Sequence, residues 1–325
     1  MEVFLNVLLL IAGFIALIKG ADLFVDGSSA LAKNFNVPRV IIGLTIVAMG
    51  TSAPELAVST SAAIKGSNEI ALSNVTGSNI FNLLGVLGIC AMIRPLPIDK
   101  TIMKRDFPIS IGVSLLPLIA IGIPMLMRGN ITSAAMSSNV GKVSRLLSII
   151  LLVIFAVYIT MLIINAKKNQ QQDDDVQRKP MWQCALLILI GLGCIIAGGQ
   201  FVVNGAKVIA SALGMSETLI GLTVVAIGTS LPELVTSVVA SRKGENGLAV
   251  GNVVGSNIFN ILFILGISGT IHPISVNLAS VIDLAVMVAV SIITMIFART
   301  KNIGRTEGAV MLALYAADVV FAVIR

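Results

Sequence analysis

The sequence predicts an all-α polytopic membrane protein: ten transmembrane helices in two inverted five-helix repeats, with the second and seventh helices broken. Three observations carry this expectation: an apolar composition, a duplicated segment, and an odd number of helices in each copy. Of the 325 residues, 56% are hydrophobic and 12% charged, and mean hydropathy is +1.00; a soluble domain averages about 45–50% apolar and about 25% charged. Apolar runs long enough for a hydrocarbon core of ~30 Å recur along the whole chain. They lack the short alternating pattern of a membrane β-barrel.

The duplication appears when the chain is shifted against itself by 178 residues. Residues 43–88 then align with 221–266, and 28 of those 46 positions are identical. Upstream, Gly20, Gly27 and Ala32 meet Gly198, Gly205 and Ala210; downstream, "IRPLP" (93–97) meets "IHPIS" (271–275). Self-similarity on this scale marks an internal repeat.

Taken in order, the first half reads as helices over 3–32, 40–64, 70–93, 107–127 and 146–166, and the second as 182–211, 218–241, 247–268, 278–298 and 306–324. The first run has no basic residue ahead of it and no small-residue cleavage site, so it is expected to be a retained helix. Domain boundaries follow: 1–166, the first repeat; 167–181, a polar cytoplasmic linker; and 182–325, the second repeat. The linker carries "KKNQQQDDDVQRKP", a solvated charge run in which Asp173, Asp174 and Asp175 need no ion.

Five helices per copy make the second copy enter the membrane from the opposite side. Loops after odd-numbered helices hold fifteen Lys and Arg residues, Lys33, Arg39 and Lys243 among them, against five on the other side (Lys65, Arg128, Lys142, Arg145 and Arg325). By the positive-inside rule the fifteen-residue side is cytoplasmic, so both termini face outward. Cys90, Cys184 and Cys194 lie in apolar segments without metal-ligand spacing and read as packing residues. Trp182 reads as an interface anchor. Lys19, Asp22 and Asp26 read as helix-face or cavity-mouth residues, since Gln200 and Asn204 stand opposite the two acids in the sixth helix.

The chemistry lies in "GLTIVAMGTSAPEL" (43–56) and "GLTVVAIGTSLPEL" (221–234), which put Glu55 and Glu233 into apolar runs. Pro54 has no N–H for the Gly50 carbonyl, and Gly50 allows a bend, so the helix is expected to break between them. Carbonyls near Ala48, Met49, Gly50 and Thr51 would then lack helical donors, a state tolerated in a membrane only where they line a cavity or bind something. Pro232 and Gly228 set up the same break beside Ala226, Thr229 and Ser230. The segments "SNVTGSNIFN" (73–82) and "GNVVGSNIFN" (251–260) add Ser78 with Asn82 and Ser256 with Asn260, pairs spaced i,i+4 on one helix face. Gly77 and Gly255 suit close helix contact.

Facing each other, the halves supply two carboxylates, the hydroxyls of Thr51, Ser52, Thr229 and Ser230, freed backbone carbonyls, and Ser and Asn side chains. Such an all-oxygen set suits a hard cation, whereas zinc or copper calls for His or Cys. Two glutamates balance one divalent ion. A single intramembrane Glu can be interhelical glue, but two in helices broken at the same place follow the pattern of transporter ion sites.

These motifs, "GTSAPE" with "GTSLPE" and "GSNIFN" twice, resemble those of the sodium/calcium exchanger family of cation antiporters, and the repeat extends the resemblance across nearly the whole chain. The resemblance implies a bacterial-type antiporter of the inner membrane that exchanges calcium for sodium by alternating access. It implies a site between helices 2, 3, 7 and 8 and a peripheral pair, helices 1 and 6, that slides. By position, Glu55 and Glu233 would ligate calcium and share in sodium binding, helped by Thr51 and Thr229. Ser52, Ser230, Ser78 and Ser256 would join the sodium sites, and Asn82 and Asn260 fill the matching positions, where many relatives carry Asp at one of the two. Backbone oxygens of Ala48 and Ala226 complete the set. Expected partners are calcium, sodium and the bilayer, with a monomeric functional unit, no nucleic acid and no cofactor beyond the transported ions. A calcium/proton antiporter is the alternative, disfavoured by the absence of extra acids. An oxygen-lined channel is another. An intramembrane enzyme is disfavoured because no nucleophile, nucleotide or metal-water motif accompanies the carboxylates.

Overall fold

The computed structural model describes residues 2–66, 68–127, 136, 139–168, 178–214 and 226–324. Its helices are α1 (Glu2–Asn34), α2 (Arg39–Thr51), α3 (Ala53–Ile64), α4 (Ile70–Ile93), α5 (Ile102–Met127), α6 (Arg145–Lys168), α7 (Met181–Ala212), α8 (Ala226–Thr229), α9 (Leu231–Arg242), α10 (Asn246–Ile271), α11 (Leu278–Ala298) and α12 (Arg305–Ile324). Among the described residues eight helices are long and apolar enough to cross a membrane, and α2 with α3, bent by 49° at a break, meets the same criterion as a pair. The predicted seventh helix is represented by α8 and α9; its start, 218–225, lies outside the described residues.

Burial sorts the spans. In α10 94% of the spanning stretch is buried and in α4 78%, against 22% in α6 and 11% in α12. The polar, repeated segments therefore occupy the centre, and the less buried helices surround them with exposed apolar residues such as Leu146, Val157 and Val320. The α10 helix seats tightly on α2: a Cβ on Gly255 would lie 2.7 Å from the Leu44 Cα, and one on Gly251 2.8 Å from the Val40 carbonyl oxygen. At Gly77, the repeat counterpart of Gly255, no described atom lies within 4 Å of such a Cβ.

Helices α1 and α7 pack antiparallel, backbone against backbone. Gly13 faces Gly198 and Gly20 faces Gly191; a Cβ at Gly13 would stand 2.8 Å from the Gly198 oxygen, and one at Gly20 2.8 Å from the Gly191 oxygen. Both helices repeat glycine every seven residues here (13, 20, 27 and 191, 198, 205), which keeps the small residues on one seam. Lys243, after α9, holds α1 through Asp26 at 2.7 Å and Asp22 at 3.3 Å, placing those acids on the helix face as expected.

Two features depart from the expected helices. Among the described residues four short strands form two antiparallel pairs: β1 (Leu96–Pro97) with β4 (Asn302–Ile303), and β2 (Asn139–Val143) with β3 (Ile274–Asn277). Each joins one half of the chain to the other, and such segments are too short to announce themselves by periodicity. Helix α5 also starts five residues before the predicted 107. Asp106 is fully buried there, but Arg105 grips it at 2.9 and 3.0 Å and Tyr158 donates to it at 3.3 Å, so the helix runs through the charges in a wide π turn.

Candidate functional site

The break in the second span lies at Ser52 (φ −83°, ψ 11°), and Gly50 is inside α2. Gly50 serves packing, with Phe24 3.2 Å from where its Cβ would be. Pro54 falls in the first turn of α3, where a missing N–H costs nothing. Ser230 (φ −94°, ψ 8°) breaks the chain identically before α9, with Pro232 in its first turn. The Ala48 carbonyl is not freed: Ser52 N–H still donates to its oxygen at 3.1 Å, and the Ser256 hydroxyl lies 3.4 Å from that oxygen. A proline in a first turn cannot orphan the acceptors that one in mid-helix would.

This geometry sets each glutamate in the first turn of a helix, Glu55 in α3 and Glu233 in α9, at the positive end of its dipole. Ser52 and Ser230 occupy the N-cap positions, yet neither side chain caps its own helix. Each reaches across to the other half. The Ser52 hydroxyl donates to Glu233 Oε1 at 2.6 Å and the Ser230 hydroxyl to Glu55 Oε1 at 3.0 Å. From the helices alongside, Ser78 donates to Glu55 Oε1 at 3.5 Å and Ser256 to Glu233 Oε1 at 3.4 Å. Every one of these six residues is at most 3% exposed, which removes bulk water as the compensating partner.

The remaining predicted residues surround this set. Thr51 Oγ1 lies 3.0 Å from Asn252 Oδ1, whereas Thr229 lines a cavity of about 380 Å³ with Ala53, Pro54, Gly228 and Pro232. Asn82 and Asn260 each open a π-helical stretch or stand one residue inside it, a local widening that recurs at functional sites. Ala226 opens α8, and its side chain lies outside the described residues.

Sequence reasoning missed six polar residues. Asn74 donates to Ser59 Oγ at 2.9 Å and the Glu55 carbonyl at 3.2 Å; Asn252 repeats this with Ser237 at 3.0 Å and the Glu233 carbonyl at 3.4 Å. Asn79 and Asn257 donate to each other's backbone carbonyls at 3.2 and 3.1 Å. Their signal was present: each is a polar residue identical at the 178-residue offset.

Four acceptors of this set remain unsatisfied. Glu55 Oε2, Glu233 Oε2, Asn82 Oδ1 and Asn260 Oδ1 are buried without a hydrogen-bond partner. Ion pairs join Arg39 to Glu245, Arg105 to Asp106, and Lys243 to Asp22 and Asp26, and none of these involves the two glutamates. A buried carboxylate without a counter-charge costs several kcal/mol in real proteins (about that order). Four acceptor oxygens, two of them carboxylate, are a donor set that fits a hard cation as cargo.

Fold and site together define a polytopic helical membrane protein with a duplicated, buried, oxygen-lined centre. The chain matches the family described as "Sodium/calcium exchanger protein" over residues 5–164 and 184–324. It is 35% identical to the sodium/calcium exchanger MaX1 of Methanosarcina acetivorans, with 97% of each chain covered, and 33% identical to the inner membrane protein YrbG of Escherichia coli (strain K12), with 93% and 92% covered. Among solved structures it resembles the sodium-calcium exchanger NCX_Mj at TM-score 0.83 and 33% identity, covering 98% of this chain and 99% of that one. This chain therefore belongs to the sodium/calcium exchanger family.

Proposed function

We propose that the chain is a secondary active antiporter that exchanges calcium for sodium by alternating access at the site between its two repeats. The observation that carries this reading is the crossed pair Ser52–Glu233 and Ser230–Glu55, with an unpartnered oxygen on each carboxylate and on Asn82 and Asn260. Calcium would take the two carboxylates, which neutralise it. Sodium needs fewer full charges and would draw on the surrounding oxygens of Ser52, Ser230, Ser78, Ser256, Thr51, Thr229, Asn82, Asn260 and the Ala48 and Ala226 backbones.

The architecture proposed is ten spans in two inverted repeats, 1–166 and 182–325, joined by a cytoplasmic linker, acting as a monomer in an inner membrane with both termini outward. Ten spans in alternation put residues 96–97 and 302–303 on one face and 139–143 and 274–277 on the other, and the strand pairs β1–β4 and β2–β3 need those placements. The crossed contacts, repeated at one offset, support two equivalent halves.

The test is ⁴⁵Ca²⁺ uptake into proteoliposomes with sodium, potassium and proton gradients imposed separately. A sodium gradient should drive calcium against its own gradient with no pH difference. Uptake that ignores sodium and follows pH would replace this reading with calcium/proton exchange.

A further inference from the structure

Resting on that reading, we propose that Asn79 and Asn257, which hydrogen-bond neither glutamate, are positioning residues that lock the carboxamides of Asn82 and Asn260 with their oxygens toward the cation and their N–H groups away from it.

The chain of constraint begins at the backbone. A carbonyl oxygen can only accept, so the atom of Asn79 lying 3.2 Å from the Asn257 carbonyl must be Nδ2, and the atom of Asn257 lying 3.1 Å from the Asn79 carbonyl must likewise be Nδ2. That fixes the other end of each amide as Oδ1. Asn79 Oδ1 meets the Asn260 side chain at 2.9 Å, and Asn257 Oδ1 meets the Asn82 side chain at 3.1 Å. Only an N–H can face an acceptor, so Nδ2 of Asn82 and of Asn260 is committed to these contacts. Each is then left with Oδ1, and in both residues that oxygen is buried without a hydrogen-bond partner.

A free carboxamide turns about its last bond and presents N–H as readily as C=O, and an N–H aimed at a cation repels it. Here the four asparagines are at most 1% exposed, so no water competes for their hydrogen bonds. Each relay also crosses between the halves twice: the backbone of 257 orients Asn79, which orients Asn260, and the backbone of 79 orients Asn257, which orients Asn82. The orientation is thus set where α4 and α10 meet, and neither half can set it alone.

An aspartate at 82 needs no orienting, because both its oxygens accept. This yields a double-mutant cycle on the full-length protein in proteoliposomes, read as the sodium concentration that half-inhibits ⁴⁵Ca²⁺ uptake. In the native background Asn257→Ala should raise that concentration about tenfold, the cost of one buried, oriented hydrogen bond. In an Asn82→Asp background the same substitution should raise it about twofold or less, since the residue being oriented is gone. An equal factor in both backgrounds means Asn257 only packs, which overturns the proposal. Should Asn257→Ala fail to fold, Asn79→Ala measured with and without Asn260→Asp makes the same test on the other relay. Glu55→Gln and Glu233→Gln serve as controls: if they lose transport while the cycle shows no coupling, only the orienting role falls; if both still transport calcium, the underlying site assignment falls.

Discussion

Ser52 donates its hydroxyl to Glu233 at 2.6 Å across 181 residues of chain, and Ser230 returns the contact to Glu55 at 3.0 Å. Each serine sits three residues before its own repeat's glutamate and serves the other one. The two halves are thereby joined at the site itself, and a cation held there would be held by both.

The two carboxylates are expected to be indispensable for charge and dispensable for shape. Glu55→Gln and Glu233→Gln each keep the side-chain volume and can still accept the serine hydroxyls, but remove a negative charge facing the ion. Each should lower calcium flux by at least about a hundredfold, as loss of a charged partner does, with an unchanged elution profile in detergent. Near-normal calcium uptake by either variant would place the site elsewhere.

The crossing serines should matter more for sodium than for calcium. Removing the hydroxyl in Ser52→Ala or Ser230→Ala takes away a neutral oxygen and leaves both charges. A rise of about five- to thirtyfold in half-maximal sodium, with calcium affinity changed about threefold or less, is expected for one buried hydrogen bond. Parallel sodium and calcium titrations of uptake check it; equal losses for both ions would count against separate roles.

The face assignments make a topological prediction. In a cysteine-free background, Lys142→Cys in β2 should react with an impermeant thiol reagent from outside, and Lys301→Cys beside β4 only after the membrane is opened. Both side chains are exposed, so access is decided by the bilayer alone. Labelling of both from one side would exclude the inverted arrangement.

The α1–α7 seam predicts a stability contrast. At Gly20 a Cβ would lie 2.7 Å from the Cys194 Cβ and 2.8 Å from the Gly191 oxygen, whereas at Gly193 no described atom lies within 4 Å. Gly20→Ala should destabilise by about 1–3 kcal/mol through overpacking. Gly193→Ala should be neutral or stabilise by up to about 1 kcal/mol, the usual helix preference for alanine. Thermal melts in detergent compare them, and equal melting temperatures would refute tight packing at the seam.

Much of this molecule was legible in its sequence because the relevant physics is local or is repeated. Hydrocarbon thickness acts on twenty consecutive residues, so the apolar runs announced the spans. Self-comparison exposed the repeat, and a carboxylate in an apolar run advertised Glu55 and Glu233 without reference to any neighbour. The tertiary structure decided the rest. Pro54 pointed to the right break but the wrong residue, because the first turn of a new helix tolerates a proline that a continuing helix does not. The motifs offered Ser52 and Ser230 only as hydroxyls of a cation site, and the packing of the halves assigned each to the opposite carboxylate. Asn79 and Asn257 were ordinary polar residues until α4 met α10 and a backbone carbonyl fixed which way each amide must turn. Periodicity states which face of a helix is buried; a hydrogen bond between residues 175 or more apart depends on what that face is buried against, and only the folded chain supplies that partner.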